Sequence, residues 1–118
     1  MRVSPKETPQ TKLAVAFATT VASGDYAGAH RFLSSTFGSA MTAAKLEHAY
    51  KEMIAYGSGA PTTIAAVTAM DTWPDKKPGD VEWVYVAMAN DTYSEAVTVV
   101  VAHEGETLVI RSIEWGRP

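Results

Sequence analysis

The chain has no cysteine, which removes disulfides, thiolate-bound zinc, iron–sulfur clusters, redox dithiols and a cysteine nucleophile from consideration. Long apolar runs are lacking as well. The strand-length run Val97–Ala102, with Thr98 inside it, falls far short of the ~20 apolar residues of a membrane span, so no membrane partner is expected. Positive charge is scarce: ten Lys and Arg stand against thirteen Asp and Glu, a net charge of −3. No basic stripe is present to neutralise phosphates, which argues against nucleic acid as a partner. The opening Met1-Arg2-Val3-Ser4-Pro5-Lys6-Glu7 contains no apolar segment of the secretory kind, and a cytoplasmic location is the expectation. Neither a Gly-x-Ser-x-Gly elbow nor a phosphate-cradling glycine loop occurs. Gly57-Ser58-Gly59 comes after a helical pattern instead of before one, so it offers no helix N-terminus to a phosphate. His30, His48 and His103 lie on three different elements without ligand spacing, and neither a metal nor a cofactor is expected.

What is present suits one compact domain. A chain of 118 residues, 47% of them hydrophobic, can bury about two-thirds of its unfolded surface around one core. Residues 1–8 read as a loose arm and 9–118 as the domain. Charge is uneven along the chain: residues 1–60 hold six Lys/Arg and four Asp/Glu, whereas 61–118 hold four and nine. A solvated acidic sheet surface explains that asymmetry, and so does a cationic partner.

Thr8-Pro9 supplies an N-cap and a proline at the first helical position, where its missing N–H costs nothing. Leu13, Ala16, Phe17, Thr20 and Val21 then recur at helical spacing as far as Gly24, a stop signal. Asp25 caps a second helix that carries Tyr26, Ala29, His30 and Leu33 on one face and fades at Ser34-Ser35-Thr36. Thr42 caps a third, with Leu46, Ala49, Tyr50, Met53 and Ile54 inward and Lys45, Glu47, Lys51 and Glu52 toward water. After Pro61 the pattern changes to strands: Thr62–Met70, Val81–Ala89, Tyr93–His103 and Thr107–Trp115, with a hairpin turn at 103–106. The fold class predicted is α+β, with three N-terminal helices packed in the concave face of a strongly curved antiparallel sheet of about four strands.

This order, together with the wording of Ala14–Leu33 (an apolar helix, Gly24-Asp25-Tyr26, Ala29, Phe32-Leu33), resembles the nuclear transport factor 2-like superfamily of ketosteroid isomerase and polyketide cyclase-like proteins. Phe37-Gly38-Ser39-Ala40-Met41-Thr42, with Leu46, Tyr50 and the Gly57–Gly59 exit after it, is similar to a bacterial subfamily of unknown function. The resemblance spans roughly residues 10–115 and implies a cone-shaped domain. Its catalytic members carry a hairpin near their general base, but Ser34–Met41 here contains no Asp, Glu or His, so no acid–base residue carries over from it.

Candidate chemistry rests on a few residues. His30, one turn after Tyr26, is either a general base at a pocket or a histidine bonded to a neighbouring backbone group. Asp25 with Tyr26 is either an oxyanion-binding pair, as in the ketosteroid isomerase example of a protonated carboxyl beside a phenol, or a helix cap. Trp83 and Tyr85 beside Ala87 fit a cavity wall, a core layer or an interface. Val84, Val86 and Met88 on the other parity are equally apolar, so both sheet faces should be covered, one by a second copy of the chain. Arg111 reads as a cross-strand partner of Glu95 or a carboxylate holder, and Glu114 as a candidate buried acid. The expected function is binding of an apolar small molecule between helices and sheet, in a pocket lined by Phe17, Tyr26, His30, Leu33, Trp83, Tyr85 and Ala87, within a homodimer joined through the outer sheet face. Two alternatives stand beside it. One is an acid–base enzyme of isomerase, dehydratase or cyclase type with His30 and Tyr26 catalytic; the other is a protein-interaction module using the outer sheet face.

Overall fold

The computed structural model describes residues 7–55, 61–91 and 94–116. Four helices come first: α1 (Pro9–Ala22), α2 (Tyr26–His30), α3 (Ser35–Ala40) and α4 (Ala43–Ala55). Four strands come after them: β1 (Thr63–Met70), β2 (Asp80–Ala89), β3 (Ser94–Glu104) and β4 (Thr107–Trp115). They form one antiparallel sheet in the order β1-β2-β3-β4, and the class is α+β. Most of the arm expected at the N-terminus, the Gly57–Gly59 exit and Tyr93 lie outside the described residues.

Local chemistry sets the helix ends. At α1, the Thr8 backbone N–H donates to Thr11 Oγ1 at 2.8 Å while the Thr11 N–H donates to Thr8 Oγ1 at 3.1 Å, satisfying two otherwise orphaned donors reciprocally. Gly24, at φ 88°, makes the reversal after α1 that a Cβ would strain. Three helices are predicted from the sequence, and a fourth, α3, occupies the stretch expected to be only a fading end. The Ser34-Ser35-Thr36 run is a cap instead of a terminator: the Phe37 N–H donates to Ser34 Oγ at 3.2 Å. Glu104, from the hairpin end of β3, accepts from both the Ser35 N–H and the Ser35 hydroxyl at 2.9 Å. A carboxylate at a helix start also suits the helix dipole.

The helices pack on one sheet face. Phe17, Val21, Ala29, Leu46 and Val84, Val86, Val97, Val99, Val101 and Ile110 are all fully buried in one cluster. Each large member contributes on the order of 1.5–3 kcal/mol relative to exposure. The outer edge of β4 is covered in part: the Ser34 N–H donates to the Ile110 carbonyl and the Ile110 N–H to the Phe32 carbonyl, both at 2.8 Å. Such a clamp blunts an edge that could otherwise pair with another chain.

Three register slips decide which side chains face where. They fall between Ala66 and Thr68, between Asp80 and Glu82, and opposite Val100/Val101, where Ser112 and Ile110 are paired and Arg111 is the extra residue. A bulge resets the alternation of faces. Strict parity puts Arg111 with Trp115 and against Ser112 and Glu114; the bulge overturns that. Ile110, Ile113 and Trp115 all reach the helix-side core, while Arg111, Ser112 and Glu114 line one recess on the opposite face.

Candidate functional site

The sheet divides the residues expected to share one pocket. Phe17 and Leu33 are buried in the helix-side core, with Tyr26 packed against it. Trp83, Tyr85 and Ala87 alternate with the buried Val84, Val86 and Met88 and so point to the outer face. The expected pocket between helices and sheet is therefore not assembled from this set. Phe17 packs edge-on against Phe32 at 6.2 Å between centroids and tilts against Trp115 at 6.4 Å, so aromatic rings occupy the volume a ligand would need.

His30 Nε2 lies 2.7 Å from the Gly38 carbonyl oxygen. A carbonyl only accepts, so Nε2 carries the proton, and in the neutral ring the lone pair sits on Nδ1. The bond ties α2 to the buried Gly38 of α3, which is the backbone-bonded alternative for this histidine. Tyr26 is half-buried, its ring 6.5 Å from that of Tyr50. Asp25 caps α2, its Oδ1 accepting from the Gly28 N–H at 2.9 Å. A Cβ at Gly28 would push the Asp25 carboxylate out of this capping position. Among the described residues no group of three His, Cys, Asp or Glu could hold a metal, and no helix is long and apolar enough to cross a membrane.

The outer face is organised in cross-strand rows. Met70, Trp83, Val100 and Ser112 form one, and Thr68, Tyr85, Thr98 and Glu114 form the next. Ala65, Ala87 and Ala96 make a third, flat row. Trp83 and Tyr85 stack at 6.3 Å, 23° from parallel. Over the first two rows folds the β1–β2 loop, and a recess of about 590 Å³ opens between them, walled by Trp73, Trp83, Thr98, Arg111, Ser112 and Glu114.

One ion pair holds this recess together. Arg111 Nε and Nη2 donate to Asp80 Oδ1 and Oδ2, both at 2.6 Å, with the Asp80 side chain only 1% exposed and that of Arg111 27%. The sequence-based pairing of Arg111 with Glu95 is replaced by this one: the bulge turns Arg111 toward the start of β2, and Glu95 lines a different recess beside α4. The Lys77 backbone N–H also donates to Asp80 Oδ2, at 2.8 Å. Asp80 thus pins the loop to the sheet. The guanidinium, with help from the Lys77 N–H, holds the Asp80 carboxyl below the usual carboxylate range against the opposing effect of burial, and Arg111 is raised in turn. Lys76 Nζ donates to the Asp71 carbonyl at 2.6 Å and stands 5.6 Å above the Trp73 ring, a cation–π contact that braces the recess wall.

Sequence reasoning missed Trp73, Asp80 and Lys77. The first two were legible in principle: a tryptophan in a polar Pro-rich loop is an unusual place for a large apolar side chain, and an Asp at a strand start disfavours the strand unless it has a partner. Searches against family models, curated proteins and solved structures find no match to this chain.

Proposed function

We propose that the chain is a small-molecule-binding domain with no assigned catalysis and with the cone-shaped architecture of the nuclear transport factor 2-like kind. Its ligand sits on the outer sheet face, beneath the β1–β2 loop. One observation carries this reading: a recess of about 590 Å³ with two tryptophans in its wall and Thr98, Arg111, Ser112 and Glu114 converging on it. That size lies within the ~300–1,000 Å³ typical of ligand pockets, and the lining is chiefly polar, with Asp75, Lys76, Lys77, Arg111 and Glu114 around the two indoles. The pinned Arg111 adds preorganisation, since its guanidinium is held before any ligand arrives.

A second reading is favoured by the rest of the outer face. Tyr85, Ala87 and Ala65 belong to no part of the helix-side core, and a two-fold pairing of this surface with itself would cover them in a homodimer. Native mass spectrometry of freshly purified protein, then mass analysis of anything released on denaturation, tests both. A retained small molecule lost in Trp83→Ala supports the binding reading. Protein that carries nothing and binds nothing from a fragment library, with unperturbed Trp73 and Trp83 signals, sinks it; the subunit count decides the homodimer.

A further inference from the structure

The recess has a direction. Two residues along a strand are about 6.5–7 Å, so successive rows set its length. At one end lie Arg111, pinned from behind by the buried Asp80, and the loop residues Asp75, Lys76 and Lys77. Trp83 and Ser112 share the middle row, and Glu114 stands in the row beyond. The first end holds three cations against two carboxylates, an excess of one positive charge. The far end holds one carboxylate. Between them lies an indole.

Arg111 sharpens the first end. Its Nε–H and one N–H of Nη2 are spent on Asp80. Of the five donors of a guanidinium, three remain on the opposite edge, the fork that matches a carboxylate. Lys76 is committed to Asp71 and Trp73, whereas the exposed Lys77 contributes its backbone N–H to Asp80 and keeps its ammonium for the recess. Multiply charged anions are disfavoured, because Asp75 and Glu114 also line the recess and would repel the excess charge.

Resting on the binding reading above, we propose that the recess takes a small flat molecule carrying a carboxylate at one end and an amine at the other. The carboxylate meets the free edge of Arg111 and Lys77, the flat body lies over Trp83, and the amine reaches Glu114. Both signs in the lining are then used, and each is needed for full affinity.

Three probes of one shape separate the contributions: para-aminomethylbenzoate with both charges, para-methylbenzoate with the carboxylate alone, and para-methylbenzylamine with the amine alone. Each is titrated into the full chain at neutral pH and low salt, by calorimetry and by monitoring the indole N–H resonances of Trp73 and Trp83. The doubly charged probe should bind about 1.5- to fivefold more tightly than either single-charge probe, the range expected for partly exposed ion pairs. Glu114→Gln should erase its advantage over para-methylbenzoate. Lys77→Gln should weaken both carboxylates and leave the amine unchanged. Glu114 and Lys77 are exposed, so both variants should keep the parental melting temperature. If para-methylbenzoate binds as tightly as the doubly charged probe, or Glu114→Gln changes nothing, the two-ended ligand is wrong and the recess still stands as a binding site. If all three probes leave both indoles unmoved at millimolar concentration, the two-ended ligand and the binding reading fall together.

Discussion

Replacing Asp80 by asparagine keeps the shape of the side chain and removes the charge that fixes the β1–β2 loop. The variant leaves Arg111 without its ionic acceptor and weakens the acceptor for the Lys77 N–H. Removing one partner of a buried pair costs about 3–5 kcal/mol when the other is left stranded. Here the Arg111 side chain is 27% exposed, and water recovers part of its solvation, so a loss of about 2–3 kcal/mol is expected. For a domain of this size, that corresponds to roughly 8–15 °C in melting temperature. The effect also has a pH signature. The Asp80 carboxyl is held below its ordinary value by Arg111 and Lys77. Its stabilisation is therefore complete above the unfolded carboxylate range of about 4 and fades as pH falls through the lowered folded value. Urea denaturation from neutral pH into acid should show a constant gap between parent and variant down to about pH 5, narrowing below about 4. Adding Arg111→Met to Asp80→Asn should restore part of the loss by removing the stranded charge. A gap under about 0.5 kcal/mol at neutral pH, or one that does not narrow in acid, would refute the assignment of Asp80 as the anchor.

Three further outcomes separate the two faces of the sheet and the small helices. Phe17→Ala, on the packed inner face, should cost about 3–5 kcal/mol in urea denaturation, whereas Trp83→Ala on the outer face should cost less than half as much while abolishing any ligand signal. His30→Ala leaves the Gly38 carbonyl without its donor and should cost about 1–2 kcal/mol, with the loss seen in amide exchange across α2 and α3. Ser34→Ala removes the α3 cap and should cost about 1 kcal/mol, read as a shift in the urea midpoint.

The strands and the long helices were legible because periodicity reports burial. Val84, Val86 and Met88 are apolar at period two and reach the core; Leu46, Tyr50 and Met53 recur at helical spacing and do the same. The choice of face was not legible, since Trp83, Tyr85 and Ala87 are just as apolar. Their exclusion from the helix side is set by where α1 packs, a long-range fact that no local pattern carries. Bulges are equally silent in sequence. Arg111-Ser112 reads as ordinary alternation, and only the register against β3 shows the extra residue. α3 was missed because serine and threonine weaken a helix interior but strengthen its start. The same three letters therefore signal an end or a beginning, and Phe37–Ala40 beyond them decides for a beginning. The site was split in sequence for a related reason: Asp80 and Arg111 are thirty-one residues apart and meet only through the sheet.

The energetics of the two layers explain why a ligand belongs on the outer face. On the helix side, Phe17, Leu46, Met88 and Ile110 are fully buried side chains within one cluster. Opening even a ~150 Å³ cavity among them costs on the order of 3–4 kcal/mol at ~24 cal/mol per Å³, a large fraction of the ~5–15 kcal/mol that holds a domain together. The outer recess carries no such cost. Its roof is the loop Trp73–Lys77, tied to the sheet where the Lys77 N–H meets Asp80. Its floor is β2, β3 and β4, already buttressed from beneath by the core. The rigid inner layer fixes the rows that space Arg111, Trp83 and Glu114, and the loop supplies the concavity. Changes in the loop at Trp73 or Lys77 can therefore alter what binds without touching what folds, whereas a change at Asp80 alters both.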